Sequence, residues 1–95
     1  MSWSLNNVQT SDAYTATTTL RCQGATRVMI HARQTPGVTG SGAIYYELGI
    51  GGPTPVWQGE VFMPPGTISK GARFDAVRVR SAAPGKPASA TVDAS

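Results

Sequence analysis

One cysteine, one histidine, few charges and no long apolar run set the first limits on this chain of 95 residues. A lone Cys22 excludes an intrachain disulfide framework and a cysteine zinc cluster. A lone His31 and five scattered carboxylates (Asp12, Glu47, Glu60, Asp75 and Asp93) give no metal-ligand spacing, so neither metal nor cofactor is expected. No segment approaches the roughly 18 apolar residues of a bilayer span, so no membrane partner is expected. The opening Met1-Ser2-Trp3-Ser4-Leu5-Asn6 lacks the basic and apolar regions of a signal peptide, which points to synthesis in the cytoplasm.

Charged residues make up 14% of the chain, against an ordinary share of about 25%. The net charge of +3 is mild, and only two of the eight cations are Lys, so the clustered Lys and Arg of a nucleic-acid module are missing. An abundance of Arg suits protein interfaces instead, because the planar guanidinium pairs bidentately and desolvates more easily than an ammonium. At this length the core is modest, burying about 60–65% of the unfolded surface, and subunit contacts are expected to supplement it.

What the chain does have is Thr, Ser, Ala, Gly and Pro, set in a period of two. Tyr14, Ala16, Thr18, Leu20 and Cys22 share one face of an expected strand, with Thr15, Thr17, Thr19 and Arg21 on the other. Val28, Ile30 and Ala32 alternate with Arg27, Met29, His31 and Arg33, and the intervening Gln23-Gly24-Ala25-Thr26 predicts a hairpin. Pro36–Gly42 and Gly51–Pro55 read as loops. Between them Ile44, Tyr46, Leu48 and Ile50 face inward, opposite Tyr45 and Glu47. Val56–Met63 is expected as a further strand with Trp57, Val61 and Met63 inward, and Gly59 on that face leaves room for a large neighbour or marks a bulge. Thr67-Ile68-Ser69 is a short edge strand. Phe74–Ser81 is a clear strand, with Val77 and Val79 inward and Arg78 and Arg80 outward. Phe74 is out of phase with the valines, which predicts a bulge near Asp75. After the Pro84-Gly85-Lys86-Pro87 turn, Ala88–Ala94 closes the domain with Ala90 and Val92 inward.

These signals predict a single all-β domain over 1–95, a small antiparallel β-sandwich (Ig-like or jelly-roll-like) of six or seven strands, with 1–11 as an extended N-terminal arm. The expected core is Leu20, Val28, Ile30, Tyr46, Leu48, Trp57, Val61, Val77 and Val79.

Catalytic chemistry finds no foothold. His31 lies between Arg27 and Arg33 with no orienting partner or nucleophile in view, so an interface or solvent-facing role fits better. Cys22 continues an inward face and reads as a small buried hydrophobe. Glu47 and Glu60 could sit on adjacent strands as a glycosidase pair, but both are expected on outward faces with little cleft around them. Gly49-Ile50-Gly51-Gly52 is followed by Pro53 rather than a helix, so it is no phosphate loop. An oligonucleotide-binding barrel would use outer arginines with Tyr45 or Trp3 as a stacking platform; the low aromatic content of 7% weighs against it. Protein contact is the better use of Arg27, Tyr45, Arg78, Arg80 and Trp3, with open sheet edges inviting strand addition.

The run Phe74-Asp75-Ala76-Val77-Arg78-Val79-Arg80-Ser81-Ala82-Ala83-Pro84-Gly85-Lys86-Pro87-Ala88, with the opening SWSLNNVQTSDAYTATTTL, resembles short β-rich virion proteins of tailed bacteriophages. The resemblance covers about half the chain and carries no catalytic residues. It implies a non-enzymatic virion component, foremost a capsid decoration (cement) protein binding the major capsid protein or other virion proteins, with a homo-oligomer, trimeric by preference. A tail, baseplate or fibre module touching host surface, with Trp3 available to a glycan, is the alternative.

Overall fold

In the computed structural model, which describes residues 1–95, Trp3–Gln9 (β1), Thr19–Gln34 (β2), Ile44–Ile50 (β3), Val56–Trp57 (β4), Val61–Met63 (β5), Gly66–Ser81 (β6) and Ala88–Ala94 (β7) form the framework. All pair antiparallel, in the order β1-β7-β2-β6-β3-β4, and β5 also pairs with β3. The only helical turn is a 3-10 turn at Ala16–Thr18, entered through a capping box on Thr15. The chain is the expected all-β domain, with seven strands where six or seven were predicted. The layers, however, belong to one continuous hydrogen-bonded sheet rather than to two separate ones.

The bending of that sheet follows from the lengths of β2 and β6. Sixteen extended residues span about 50 Å at a rise of about 3.3 Å each. The longest dimension of the molecule is only 36 Å, with a cross-section of 20 × 19 Å. Both strands must bend. They do so together where the register slips between Arg21↔Ala76, Ala25↔Phe74 and Arg27↔Gly71. Extra residues in one strand and then the other sharpen the local twist. The phase slip at Phe74 is this bulge, as expected. The expected hairpin at Gln23–Thr26 is not there: Gly24 takes a left-handed φ of 65° inside the bulge, and β2 runs on. For the same reason Thr67-Ile68-Ser69 and Phe74–Ser81 are two ends of one strand.

Folding the sheet over itself brings Val28, Ile30, Ile44, Phe74, Val77, Val79 and Val92 to complete burial. Without helices, only the opposing part of the sheet can cover them. Met63, Tyr46, Leu20, Cys22 and the small Ala25, Ala32, Ala88, Ala90 and Ala94 complete the cluster. Leu48 is half-buried against it, and Val61, expected in the core, remains 40% exposed because β5 lies at the sheet edge.

The N-terminal segment is not a free arm. Trp3–Gln9 pairs with β7, and its Trp3, Leu5 and Val8 pack against the core. A bulge between Leu5 and Val8 places Asn7 at φ 52°, where its backbone N–H donates to Thr91 and its side chain accepts from Arg33. Buried Thr10 then fixes the end of the strand through reciprocal bonds with Ala88.

Candidate functional site

The outer face of β3 and β6 carries the densest arrangement of polar and aromatic side chains in the molecule. Cross-strand register sets it: Tyr45 lies opposite Arg80, Glu47 opposite Arg78, Gly49 opposite Trp57, and Tyr45 also opposite Phe62. Arg78 stacks between Trp57 and Tyr14, with its guanidinium carbon 3.9 and 4.1 Å from the two ring centres. Arg80 lies 4.5 Å over Tyr45 and 5.8 Å from Tyr14. Tyr45 in turn meets Phe62 edge-on at 5.7 Å. The result is an alternating ladder, Trp57–Arg78–Tyr14–Arg80–Tyr45–Phe62, in which aromatic faces solvate two cations.

Carboxylates lock each cation in place. Glu47 accepts from Nε and Nη2 of Arg78 through one oxygen and from the Gly59 backbone N–H, at 2.9 Å, through the other. Glu60 takes both forks of Arg80 and a 2.6 Å bond from the Tyr14 hydroxyl. Those bonds, from Arg80 first and Tyr14 second, hold the Glu60 carboxyl down at about 2. Partial burial, followed by the bond to Glu60, pushes the Tyr14 phenol well above its ordinary value. A general acid needs a raised carboxyl; Glu60 is shifted the opposite way. The expectation that Glu47 faces outward is half right: it stands on the outer face, but the ladder buries it to 7% exposure.

Arg78 and Arg80 are therefore not free contact residues. Both are ion-paired, and only their margins reach solvent. Tyr45 belongs to the same ladder and is half-buried. The two tryptophans exchange their expected places. Trp57 lies on the outer face because Gly49, opposite it, has no side chain: a Cβ there would come within 3.1 Å of the indole and 2.8 Å of Pro55. The room expected at Gly59 is thus provided by Gly49. Trp3 instead rests on the core. Together with Arg27, Met29 and Asp93 it lines a groove of 210 Å³ at the β1–β7–β2 edge. The five expected contact residues thus split into two groups, and the structure adds Tyr14, Trp57, Phe62, Glu47 and Glu60 to the larger one.

The remaining candidates are held structurally. Asp75 sits opposite the β2 bulge and accepts from the backbone N–H groups of Gly24, Gly51 and Gly52 at 2.8–3.0 Å. Those three bonds bring its carboxyl down to about 2. They tie the bend of β2 and β6 to the β3–β4 turn. Cys22 is buried beside it, and burial together with the Asp75 charge pushes the thiol up to about 11, the reverse of an activated nucleophile. His31 is exposed and shares a 2.7 Å hydrogen bond with Thr67 through Nδ1. No helix is long and apolar enough to cross a membrane, and no three His, Cys, Asp or Glu side chains converge on a metal-sized site.

No protein-family model matches the sequence, and no curated protein matches it. Among solved structures, the chain is similar to one from Bacillus endospore appendages, described as a novel family of disulfide-linked pili. The identity is 15% and the TM-score 0.46, over 99% of this chain and 80% of that one. That likeness is too distant to transfer a function.

Proposed function

We propose that the chain is a non-enzymatic structural protein of a bacteriophage virion, a decoration module that seats on the capsid lattice and self-associates. One contrast carries the non-enzymatic part of this reading. The groups able to do chemistry, Glu47, Glu60, Asp75, Arg78 and Arg80, are engaged in holding the strands together, while large apolar side chains stand unsatisfied at the surface. Val56 is 66% exposed, Phe62 56% and Met29 46%. Exposed apolar groups of this kind, Val56 and Phe62 on the marginal strands β4 and β5 and Met29 on the outer face of the central β2, suit association with protein rather than turnover of a small substrate. The virion assignment is supported by the sequence resemblance, whose C-terminal segment forms the second half of β6, the following turn and the start of β7.

Attachment of this kind works through area. A standard interface buries about 800 Å² per partner, and repetition over a symmetric shell multiplies weak contacts into avidity. Mixing the purified chain with undecorated capsids tests the reading: saturable binding at lattice stoichiometry, weakened by Phe62→Asp, is expected. A chain that stays monomeric and never sediments with capsids refutes it.

A further inference from the structure

The strand β6 is paired on both sides only along part of its length. Ala76–Ser81 has β3 on one side, whereas the stretch from Gly66 through Arg73 is bonded to β2 alone. In an antiparallel strand every second residue turns its N–H and C=O to the open side, and no other backbone hydrogen bond involves residues 66–73. β5, joined to β6 through only Pro64 and Pro65, pairs with β3 and leaves this edge uncovered.

Side chains mark the gap as well. Ile68 and Lys70 stand opposite Ile30 and Val28, so both point to the inner, core-facing side. Between Lys70 and the β3–β5 layer lies a cleft of 110 Å³ lined by Tyr46, Leu48, Val61, Gln58 and Gly59. Its apolar lining is Tyr46, half-buried Leu48 and Val61, which is 40% exposed, and half-buried Ile68 precedes Lys70 on the same face of β6. Lys70 is the one charge in it, and it takes part in neither ion pair of the molecule. From Gly66 to Phe74 the strand carries Lys70 and Arg73 and no carboxylate.

We infer that this edge is a strand-addition site for an extended acidic segment of a partner protein, one with apolar residues flanking a carboxylate at i−2 and i+2. The backbone of the guest completes the ladder on β6, its apolar side chains cover Ile68 and the Leu48–Val61 floor, and its carboxylate meets Lys70. An inward-pointing cation on an edge strand also prevents indiscriminate pairing. A second copy of this same edge would set Lys70 and Arg73 against Lys70 and Arg73, so charge excludes self-pairing while admitting the acidic guest. This deepens the reading of the chain as a binding module, naming the segment it grips.

Two synthetic peptides test the inference: an acetylated Thr-Val-Thr-Asp-Thr-Val-Thr, and the same peptide with Lys in place of Asp. Binding is followed by anisotropy and by amide hydrogen exchange on the full chain. The Asp peptide is expected to bind about ten-fold more tightly than the Lys peptide, and to slow exchange at residues 66–73. Lys70→Glu, at an exposed position that leaves the core untouched, is expected to reverse the preference. Equal binding of the two peptides, protection appearing at Trp3–Gln9 instead, or no binding of either overturns the inference. Capsid sedimentation of the same preparation reports separately on the broader function, so the two can fail independently.

Discussion

The two halves of β6 are built from one continuous strand and yet live under different physics. From Phe74 to Val77 four consecutive residues are buried, because the bend turns both faces of the strand against other parts of the sheet. Beyond them Val79 fills the core while Arg78 and Arg80 are clamped on the outside by aromatic rings and carboxylates. From Gly66 to Arg73 the strand has one neighbour, no fully buried side chain and an open row of backbone groups. Local stability should follow that division, since amides open most readily where burial and pairing are least. The hinge between the regimes is Asp75, whose carboxylate gathers the three N–H groups that the bulge and the β3–β4 turn would otherwise leave without partners.

Substitutions on the two sides of that hinge should differ by nearly an order of magnitude. Phe74→Ala empties the largest fully buried side chain and is expected to cost about 3–5 kcal/mol in chemical denaturation. A loss below about 1 kcal/mol would show that the bend does not need this ring. Gly49→Ala drives a methyl into Trp57 and Pro55, with an expected cost of about 1–3 kcal/mol. Altered indole fluorescence should accompany it, because the Trp57–Arg78 stack must move. Acid provides a third comparison. The Asp75 and Glu60 carboxyls sit at about 2 in the fold, below their ordinary values of 3.8 and 4.5. Their stabilisation is complete above those ordinary values and fades as pH falls through 2. Asp75→Asn should flatten part of that acid limb in a pH series of thermal melts. On the open half, Thr67→Ala, which removes only the exposed bond to His31, should change stability by about 0.5 kcal/mol or less.

Much of this division could be read in the sequence, and the failures share a cause. Alternation located the inward faces of β2, β3, β6 and β7, and the phase slip at Phe74 gave away the bulge, because both signals are local. Gly24 misled because a left-handed glycine serves a bulge as well as a hairpin turn, and only the β6 partner distinguishes the two. Glu47 looked exposed because the group that buries it, Arg78, lies thirty-one residues further along. Alternation along one expected strand from Val56 to Met63 puts Trp57 inward with Met63, but that stretch is two strands, β4 and β5, and the phase does not carry across the break. The glycine that admits Trp57 to the outer face sits across the ladder on β3, and cross-strand register is not written in either segment alone. Alternation points Arg78, Arg80 and Tyr45 outward on their separate strands, but the pairing that joins them, and the Tyr14 and Glu60 that engage them from loops, are long-range.

The position of β7 between β1 and β2 has a kinetic consequence. Trp3 pairs with Ala94, and Val28 through Gln34 pair with the same strand, so β1 reaches the rest of the sheet mainly through residues synthesised after β2 to β6. Local pairings such as β3 with β5 can close early, but β1 must wait for β7, some eighty residues further along. Until Ala88–Ala94 arrives, Trp3, Leu5 and Val8 have little to pack on, and a nascent chain stalled before that point holds its N-terminus unpaired. Docking of β1 therefore depends on β7 being in place beside β2.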